Sequence, residues 1–292
     1  MIRIGIIGSD SSHADAFSQM CNLKDHPEHV PGARVTCIWG VDPKRTAEVA
    51  EKGKIPRIVA HPREMMGNVD AVMIVLRHGA LHCRHALPFL KAGIATFVDK
   101  PFTTTVADAR RIVRAARKHR TPLTSFSTLR YAPHFVEVIK GLKAIEPLAA
   151  GVSAGPGDVK SEYGGFIFYG IHAIELMQEA FGPGAQRVTA VVHAGNLVAT
   201  VEHRGGATVS LQVLATASYQ FHLAAYGKGG VHQAVLNSAG CYPAGLKQVL
   251  KMVRTGKGPL PHENMIEAVA VAEAVEKSLR TGRSVKLPAR LL

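Results

Sequence analysis

Asp99 and Lys100 follow an apolar run at residues 94–98, whose β-branched and aromatic side chains predict a buried parallel strand. Pro101 has no backbone N–H for a strand ladder, so the strand must end before it. Open α/β sheets bind ligands at the carboxyl ends of their strands. A lysine that loses hydration there can exchange a proton near neutral pH, so Lys100 is a candidate catalytic residue. A solvated lysine in a strand-to-helix turn is the alternative.

His172 is the second candidate for proton transfer. Gly164 and Gly165 allow close approach of the backbone to a ligand, and Gly170 stands at the entry of a predicted helix at 171–181. An imidazole near the start of that helix can transfer protons at pH 7. A structural histidine is the alternative.

Three histidines share a predicted helix at residues 78–91. His78 and His82 lie four residues apart on one face, a spacing that can bind zinc. His85 reaches that face only with strain, so we expect no metal centre and treat His85 as a surface residue. Near the helix start, we expect Arg77, His78 and His82 to contact a ligand.

Residues 2–8 predict a strand that ends in a glycine turn and leads into a helix at 13–23. This order is typical of a dinucleotide-binding unit, in which amides at the helix amino end hold phosphate. The G-x-G-x-x-G fingerprint is incomplete, because Asp10 and His13 replace its later glycines. The Asp10 carboxylate would repel a diphosphate unless it caps the helix. The predicted cofactor contacts of this turn are Gly8, Ser9, Asp10, Ser11 and Ser12.

Asp42 ends the predicted second strand, at residues 35–41. An acid at this place commonly binds the ribose hydroxyls of adenosine, although Asp-Pro is also an ordinary turn opener. Lys44 and Arg45 follow and would favour a 2′-phosphate. The sequence therefore leaves NAD and NADP both open.

Strands and helices alternate through the first part of the chain, which predicts a doubly wound parallel sheet of the Rossmann type at residues 1–122. The further predicted strands are 57–60, 70–76, 94–100 and 122–127, and the further helices are 43–51, 62–66 and 104–119.

The rhythm changes in the predicted second domain, at residues 123–292. Gly205-Gly206 signals a hairpin, so we expect an α+β domain with an open, mainly antiparallel sheet. Such an exposed sheet favours a homo-oligomer, a dimer or tetramer. Its predicted strands are 148–154, 187–193, 197–203, 207–215, 221–226 and 231–236, followed by helices at 243–255 and 262–280.

Composition narrows the class of protein. The formal charge is +13, but the densest basic stretch, at 104–119, is the polar side of an amphipathic helix without interleaved aromatic residues, so we expect no nucleic-acid partner. No apolar run approaches the roughly 20 residues of a membrane span, and no signal-like leader precedes the first strand. Four scattered cysteines indicate reduced thiols. We expect a cytoplasmic protein.

Four stretches together resemble the Gfo/Idh/MocA family of oxidoreductases, the relatives of glucose–fructose oxidoreductase and inositol dehydrogenase. Val98-Asp99-Lys100-Pro101 is similar to the family's E-K-P signature, and residues 164–175 are similar to its GG…DxGxHxxD element. The glycine-bounded residues 5–8 and the tail at 282–285 extend the resemblance over nearly the whole chain. Phe168 departs from the pattern, because the family has an aspartate there.

The resemblance implies a Rossmann domain, an α/β domain whose open sheet often packs in oligomers, and hydride transfer between NAD(P) and a hydroxyl carbon. By position, Lys100 would bind the reacting hydroxyl and assist its proton transfer, with His172 as the second acid–base group. Asp99 and Lys100 would line the cofactor cleft, and a cis peptide would precede Pro101. We expect the substrate to contact Lys100, Arg130, Tyr169 and His172.

The sequence thus predicts an NAD(P)-dependent oxidoreductase that acts on a sugar, polyol or similar small molecule. One alternative is a redox-inactive family scaffold that binds a ligand or regulates, which Asp10, the short turn after Gly8 and Phe168 favour. The other is a lyase or hydrolase that uses tightly bound NAD.

Overall fold

The computed structural model describes residues 1–288, 290 and 291, and they form two compact units. Unit 1 contains residues 1–103, 107–128 and 242–262, and unit 2 contains 104–106, 129–241 and the described residues from 263 onward. This division differs from a boundary after residue 122, because residues 123–128 and the late segment 242–262 both pack in unit 1.

Unit 1 is built on a parallel sheet whose five strands lie in the order β2-β1-β3-β4-β5. β3 and β4 are buried along their whole length, as expected for a parallel sheet that is covered on both faces. The predicted Rossmann-type sheet is confirmed. The strands are β1 (Ile2–Ile7), β2 (Ala33–Trp39), β3 (Ala71–Ile74), β4 (Ala95–Val98) and β5 (Leu123–Ser125).

Unit 2 contains a mixed sheet in the order β11-β10-β6-β9-β8-β7-β12. Within this sheet, only the β6–β9 pair is parallel among the described strands, so the mainly antiparallel sheet is confirmed. Its strands are β6 (Leu148–Pro156), β7 (Ala185–His193), β8 (Asn196–His203), β9 (Thr208–Leu214), β10 (Phe221–Gly227), β11 (Gly230–Leu236) and β12 (Val285–Lys286).

The helices follow the predicted alternation, with one addition, α5, that the sequence pattern did not indicate. None of the described helices combines the length and apolar character of a membrane span. The helices are α1 (Ser12–Asn22), α2 (Pro43–Lys52), α3 (His82–Lys91), α4 (Val106–His119), α5 (Pro133–Leu142), α6 (Ile167–Phe181), α7 (Cys241–Thr255) and α8 (His262–Thr281).

The strand predicted at residues 57–60 is wrong. The segment makes one parallel bridge, between Ile58 and Ile38 at the free edge of β2. Pro56 and Pro62 flank it and have no backbone N–H to extend a ladder in either direction.

Helix α6 begins four residues before the predicted start at 171, so Gly170 lies inside the helix rather than at its entry. A Cβ on Gly170 would stand 2.7 Å from Phe166 Cδ2 and 3.0 Å from Val213 Cγ2. The glycine therefore lets the helix pack closely on β9. This helix carries His172 in the core of unit 2.

Candidate active site

Asp99 lies at the carboxyl end of β4 and is almost completely buried. Its Oδ2 forms a short hydrogen bond with Nδ1 of His13, from the first turn of α1. Its Oδ1 accepts the backbone N–H of Lys100 at 2.8 Å. Both carboxylate oxygens are thus engaged by unit 1 itself.

The balance of forces on Asp99 keeps this carboxyl ionised. Burial opposes ionisation, but the charges of His13 and Lys100 and the hydrogen bonds from both residues outweigh it and lower the pKa of Asp99. The carboxylate consequently stands as a fixed negative charge at the carboxyl end of β4.

Lys100 is itself buried, with 8% of its surface exposed, and the expected cis peptide joins it to Pro101. Gly79 packs against this turn, because a Cβ there would stand 2.8 Å from Pro101 Cγ. Lys100 thus lies buried at the carboxyl end of β4, and its role in proton transfer stays a prediction.

His82 contacts backbone carbonyls on both sides of its ring, one of them in the turn that contains Pro101. Its Nε2 lies 2.7 Å from the carbonyl oxygen of Leu76, and its Nδ1 lies 3.2 Å from that of Phe102. Burial lowers the pKa of His82, although these carbonyls oppose the shift. Since its side chain is fully buried, we withdraw His82 from the proposed cofactor contacts.

The turn after β1 is formed by Gly8, whose φ of +110° favours glycine. Ser11 caps α1, because its side chain accepts the backbone N–H of His13 at 3.1 Å. Ser9 is buried and hydrogen-bonds Thr46 at 2.9 Å, whereas Ser12 is exposed at the helix start. The amino end of α1 therefore lies beside a glycine turn, an arrangement in which backbone N–H groups can bind the phosphates of a dinucleotide.

Asp10 does not cap α1. Its Oδ2 accepts the backbone N–H of Arg77 at 3.1 Å, which joins the turns that follow β1 and β3. These are the neighbouring strands at which the sheet order reverses, the place where open α/β sheets bind nucleotides. His78 starts the short helical turn Gly79–Leu81 by accepting the N–H of Ala80 at 3.3 Å.

Asp42 is the amino-terminal cap of α2, and its Oδ1 accepts the backbone N–H of Lys44 at 2.9 Å and of Arg45 at 3.3 Å. The Arg45 guanidinium pairs with Asp15 of α1. Trp39, at the end of β2, accepts the N–H of Gly8 with its carbonyl and stacks near His85 at 5.1 Å between ring centroids. Burial, helped by Arg84, lowers the pKa of His85 to about 4.

His172, on α6 in unit 2, lies in a closed cycle of four aromatic rings. Its ring meets Tyr169 at 5.4 Å and Phe221 at 5.5 Å, and Tyr219 completes the cycle through contacts with both. Tyr219 also donates its hydroxyl to that of Tyr169 at 2.9 Å. Two residues predicted to bind substrate, Tyr169 and His172, are thus in contact.

Arg130 occupies a different part of unit 2. Its buried guanidinium binds Glu175 at 2.7 Å, Glu179 at 2.5 Å and Gln178 at 2.7 Å, all on α6. Burial opposes its charge, but the two carboxylates raise the pKa of Arg130. Its side chain thus binds three residues of α6. Its contact with substrate stays a prediction.

Metal ligands are not assembled within the described residues, where no three His, Cys, Asp or Glu side chains are placed to bind an ion. The four cysteines are buried and none is in a disulfide, and burial raises the pKa of Cys21 to about 12.

His13 and Tyr219 are among the residues of these clusters that were absent from the predicted site. His13 appeared only as a defect in the glycine fingerprint, and a histidine on the first turn of α1 was the available signal. Tyr219 stands in a loop after β9 with no recognisable motif.

The amino-terminal part of the chain is similar in sequence to known oxidoreductases. Residues 2–126 match the Gfo/Idh/MocA model, an oxidoreductase family with an NAD-binding Rossmann fold. Inositol 2-dehydrogenase 3 of Saccharopolyspora erythraea is 30% identical over 115 residues, or 39% of this chain. That match spans about a third of the relative's length, 32%.

Solved structures share the fold over the whole chain. A probable dehydrogenase from Thermotoga maritima has a TM-score of 0.84 at 20% identity and covers 98% of each chain. The myo-inositol dehydrogenase of Lactobacillus casei, solved with NAD(H) and myo-inositol, has a TM-score of 0.84 at 16% identity, covering 99% of this chain and 98% of the other.

The buried Asp99 carboxylate makes stability depend on pH. A lowered folded-state pKa contributes stability above the unfolded value of about 3.9, and that contribution is lost as pH falls through the folded pKa. Urea unfolding of Asp99→Asn should therefore show a shallower loss of midpoint on acidification than the parent protein. Asp25→Asn, an exposed carboxyl in the loop after α1, is the control. Parallel acid limbs for Asp99→Asn and the parent would contradict the assignment.

Proposed function

We propose that the protein is an NAD-dependent dehydrogenase of a sugar, polyol or similar small molecule, because residues 2–126 match the Gfo/Idh/MocA oxidoreductase model. The observation that carries the proposal is the buried Lys100 at the carboxyl end of β4, in a sheet with the nucleotide-binding strand order. The relative named as an inositol 2-dehydrogenase supports a polyhydroxylated substrate.

The residues around the first turn fit a dinucleotide. Gly8 gives the turn its shape, Ser11 and Ser12 stand at the amino end of α1, and that end favours phosphate through its N–H groups and dipole. Asp10 is held by the N–H of Arg77, which directs its charge away from the helix cap. Ser9 and His78 border the same turns.

We propose NAD rather than NADP. Asp42 stands at the end of β2, where an acid binds ribose hydroxyls. Arg45, one of the two basic residues that would attract a 2′-phosphate, is already paired with Asp15 and lies 3.6 Å from Glu48.

Lys100 is the proposed proton-transfer group for the reacting hydroxyl. When bound, NAD supplies the hydride acceptor. The neutral amine of Lys100 would accept the proton of the substrate hydroxyl, and the ionised Asp99 would stabilise the ammonium that forms. In this assignment Asp99 acts through Lys100 rather than on the cofactor, because both its oxygens are engaged. His172 is the proposed second acid–base residue, and Tyr169 and Arg130 remain proposed substrate contacts.

We further propose a cytoplasmic homo-oligomer. The outer face of the unit 2 sheet exposes Val191, Val198, Tyr226, Val231 and Val235, which are large apolar side chains on four strands. Exposed apolar side chains at both ends of one sheet face favour burial against a second copy.

Trp39 provides a direct test of cofactor binding, since it is the only tryptophan and stands at the end of β2. Titration with NADH should quench Trp39 emission and transfer energy to the nicotinamide, with saturation at micromolar concentrations. NADPH should bind more weakly. Failure of both nucleotides to bind protein shown to be free of nucleotide would contradict the proposed function.

Substitution of Lys100 tests the chemistry separately from binding. Lys100→Ala should lower turnover of the best polyol in a screen by about 10²–10⁴-fold, the usual contribution of a positioned acid–base group, while NADH still quenches Trp39. Lys91→Ala removes an exposed lysine and should leave turnover unchanged. Full turnover by Lys100→Ala would refute the catalytic assignment.

A further inference from the structure

A surface depression of about 360 Å³ lies wholly within unit 2, beside the aromatic cycle. Tyr169 and Tyr219 form one wall, and small or aliphatic residues such as Pro156 and Leu214 form most of the rest. Its volume is within the range of pockets that bind small ligands. None of the residues assigned above to the cofactor lines it.

Tyr219 is held in an open position by this arrangement. Tyr219 is 67% exposed, although its hydroxyl donates to that of Tyr169 and its ring centroid lies 5.9 Å from that of Tyr169 and 6.1 Å from that of Phe221. A large aromatic side chain fixed at a rim by three contacts presents a constant surface to a ligand, with little entropy to lose on binding.

The depression also differs in charge from the rest of the molecule. The chain carries a formal charge of +13, yet Asp158 is the one charged residue that lines this depression in the described structure. Its Oδ1 accepts the backbone N–H of Lys160 at 2.8 Å, which holds the carboxylate in place. An anionic group would therefore be disfavoured here.

Two tyrosine rings and a carboxylate are the groups that recognise a substituted ammonium ion, through cation–π attraction and charge. We propose that this depression is a subsite for a protonated amine, so that the substrate is an amino sugar or amino polyol. Tyr169 lines the subsite and also contacts the ring of His172, so only the Tyr169 ring separates the subsite from His172. The catalytic part of this inference rests on the proposed function, whereas ammonium binding does not.

Choline and 3,3-dimethylbutan-1-ol test the subsite, because they have the same shape and only choline is charged. Titration of the full chain, followed by ligand-observed NMR, should show choline binding about tenfold more tightly than the neutral alcohol. Raised salt should weaken choline binding, since the carboxylate is exposed. Equal affinity for the two compounds, or binding of neither, would overturn the proposal.

Matched variants locate the binding. Tyr219→Leu should weaken choline binding about two- to fivefold, and Tyr226→Leu, an exposed tyrosine on β10, should not. Asp158→Asn keeps an acceptor for Lys160 and should also weaken binding about two- to fivefold, whereas Glu162→Gln removes the same charge from the same loop without effect. Equal effects of Asp158→Asn and Glu162→Gln would refute the subsite.

The amino-substrate claim has its own measurement. The ratio of kcat/KM for D-glucosamine over D-glucose should exceed one and fall in Asp158→Asn, while N-acetyl-D-glucosamine, which lacks the charge, loses the advantage. NADH binding and polyol turnover without any preference for choline would defeat this inference and leave the proposed function standing. Preferential choline binding without NADH binding would support the ammonium subsite and contradict the proposed function.

Discussion

A carboxylate that loses its hydration at the end of β4 must recover the lost free energy from its neighbours, and Asp99 does so through His13 and Lys100. This requirement fixes the first turn of α1, because His13 must reach across to β4. It also explains why the third glycine of the dinucleotide fingerprint is replaced here. The position that would be bare backbone instead carries the ring that keeps Asp99 ionised beside the proposed catalytic lysine.

Unit 2 meets a separate constraint, the support of α6. Arg130 binds three side chains of that helix, and removal of one partner from such a buried ionic cluster is strongly destabilising. Gly170 lets the same helix approach β9, and the ring cycle packs around His172 on its first turns. A helix held at these points presents His172 and Tyr169 in fixed positions, which is the preorganisation that acid–base catalysis and specific binding both need.

Local sequence features predicted the alternation of elements and the placement of Lys100, because apolar runs, glycines and Pro101 act on their immediate neighbours. They did not predict the His13–Asp99 bond, which joins residues 86 positions apart, or the Tyr219–Tyr169 bond, which joins residues 50 apart. Such contacts depend on the packed sheet. The start of α6 and the missing strand at 57–60 show the same limit, since packing on β9 and flanking prolines decided them.

We propose that the protein moves a hydride between NAD and a hydroxyl carbon. Incubation of the protein with NAD⁺ and a panel of polyols and amino sugars deuterated at their hydroxyl carbons tests it, with mass spectrometry of the recovered nicotinamide. We expect deuterium from at least one substrate to appear at the nicotinamide C4 of the reduced cofactor. We expect no such transfer with the Lys100→Ala variant. Bound cofactor that never acquires deuterium across the panel would contradict it.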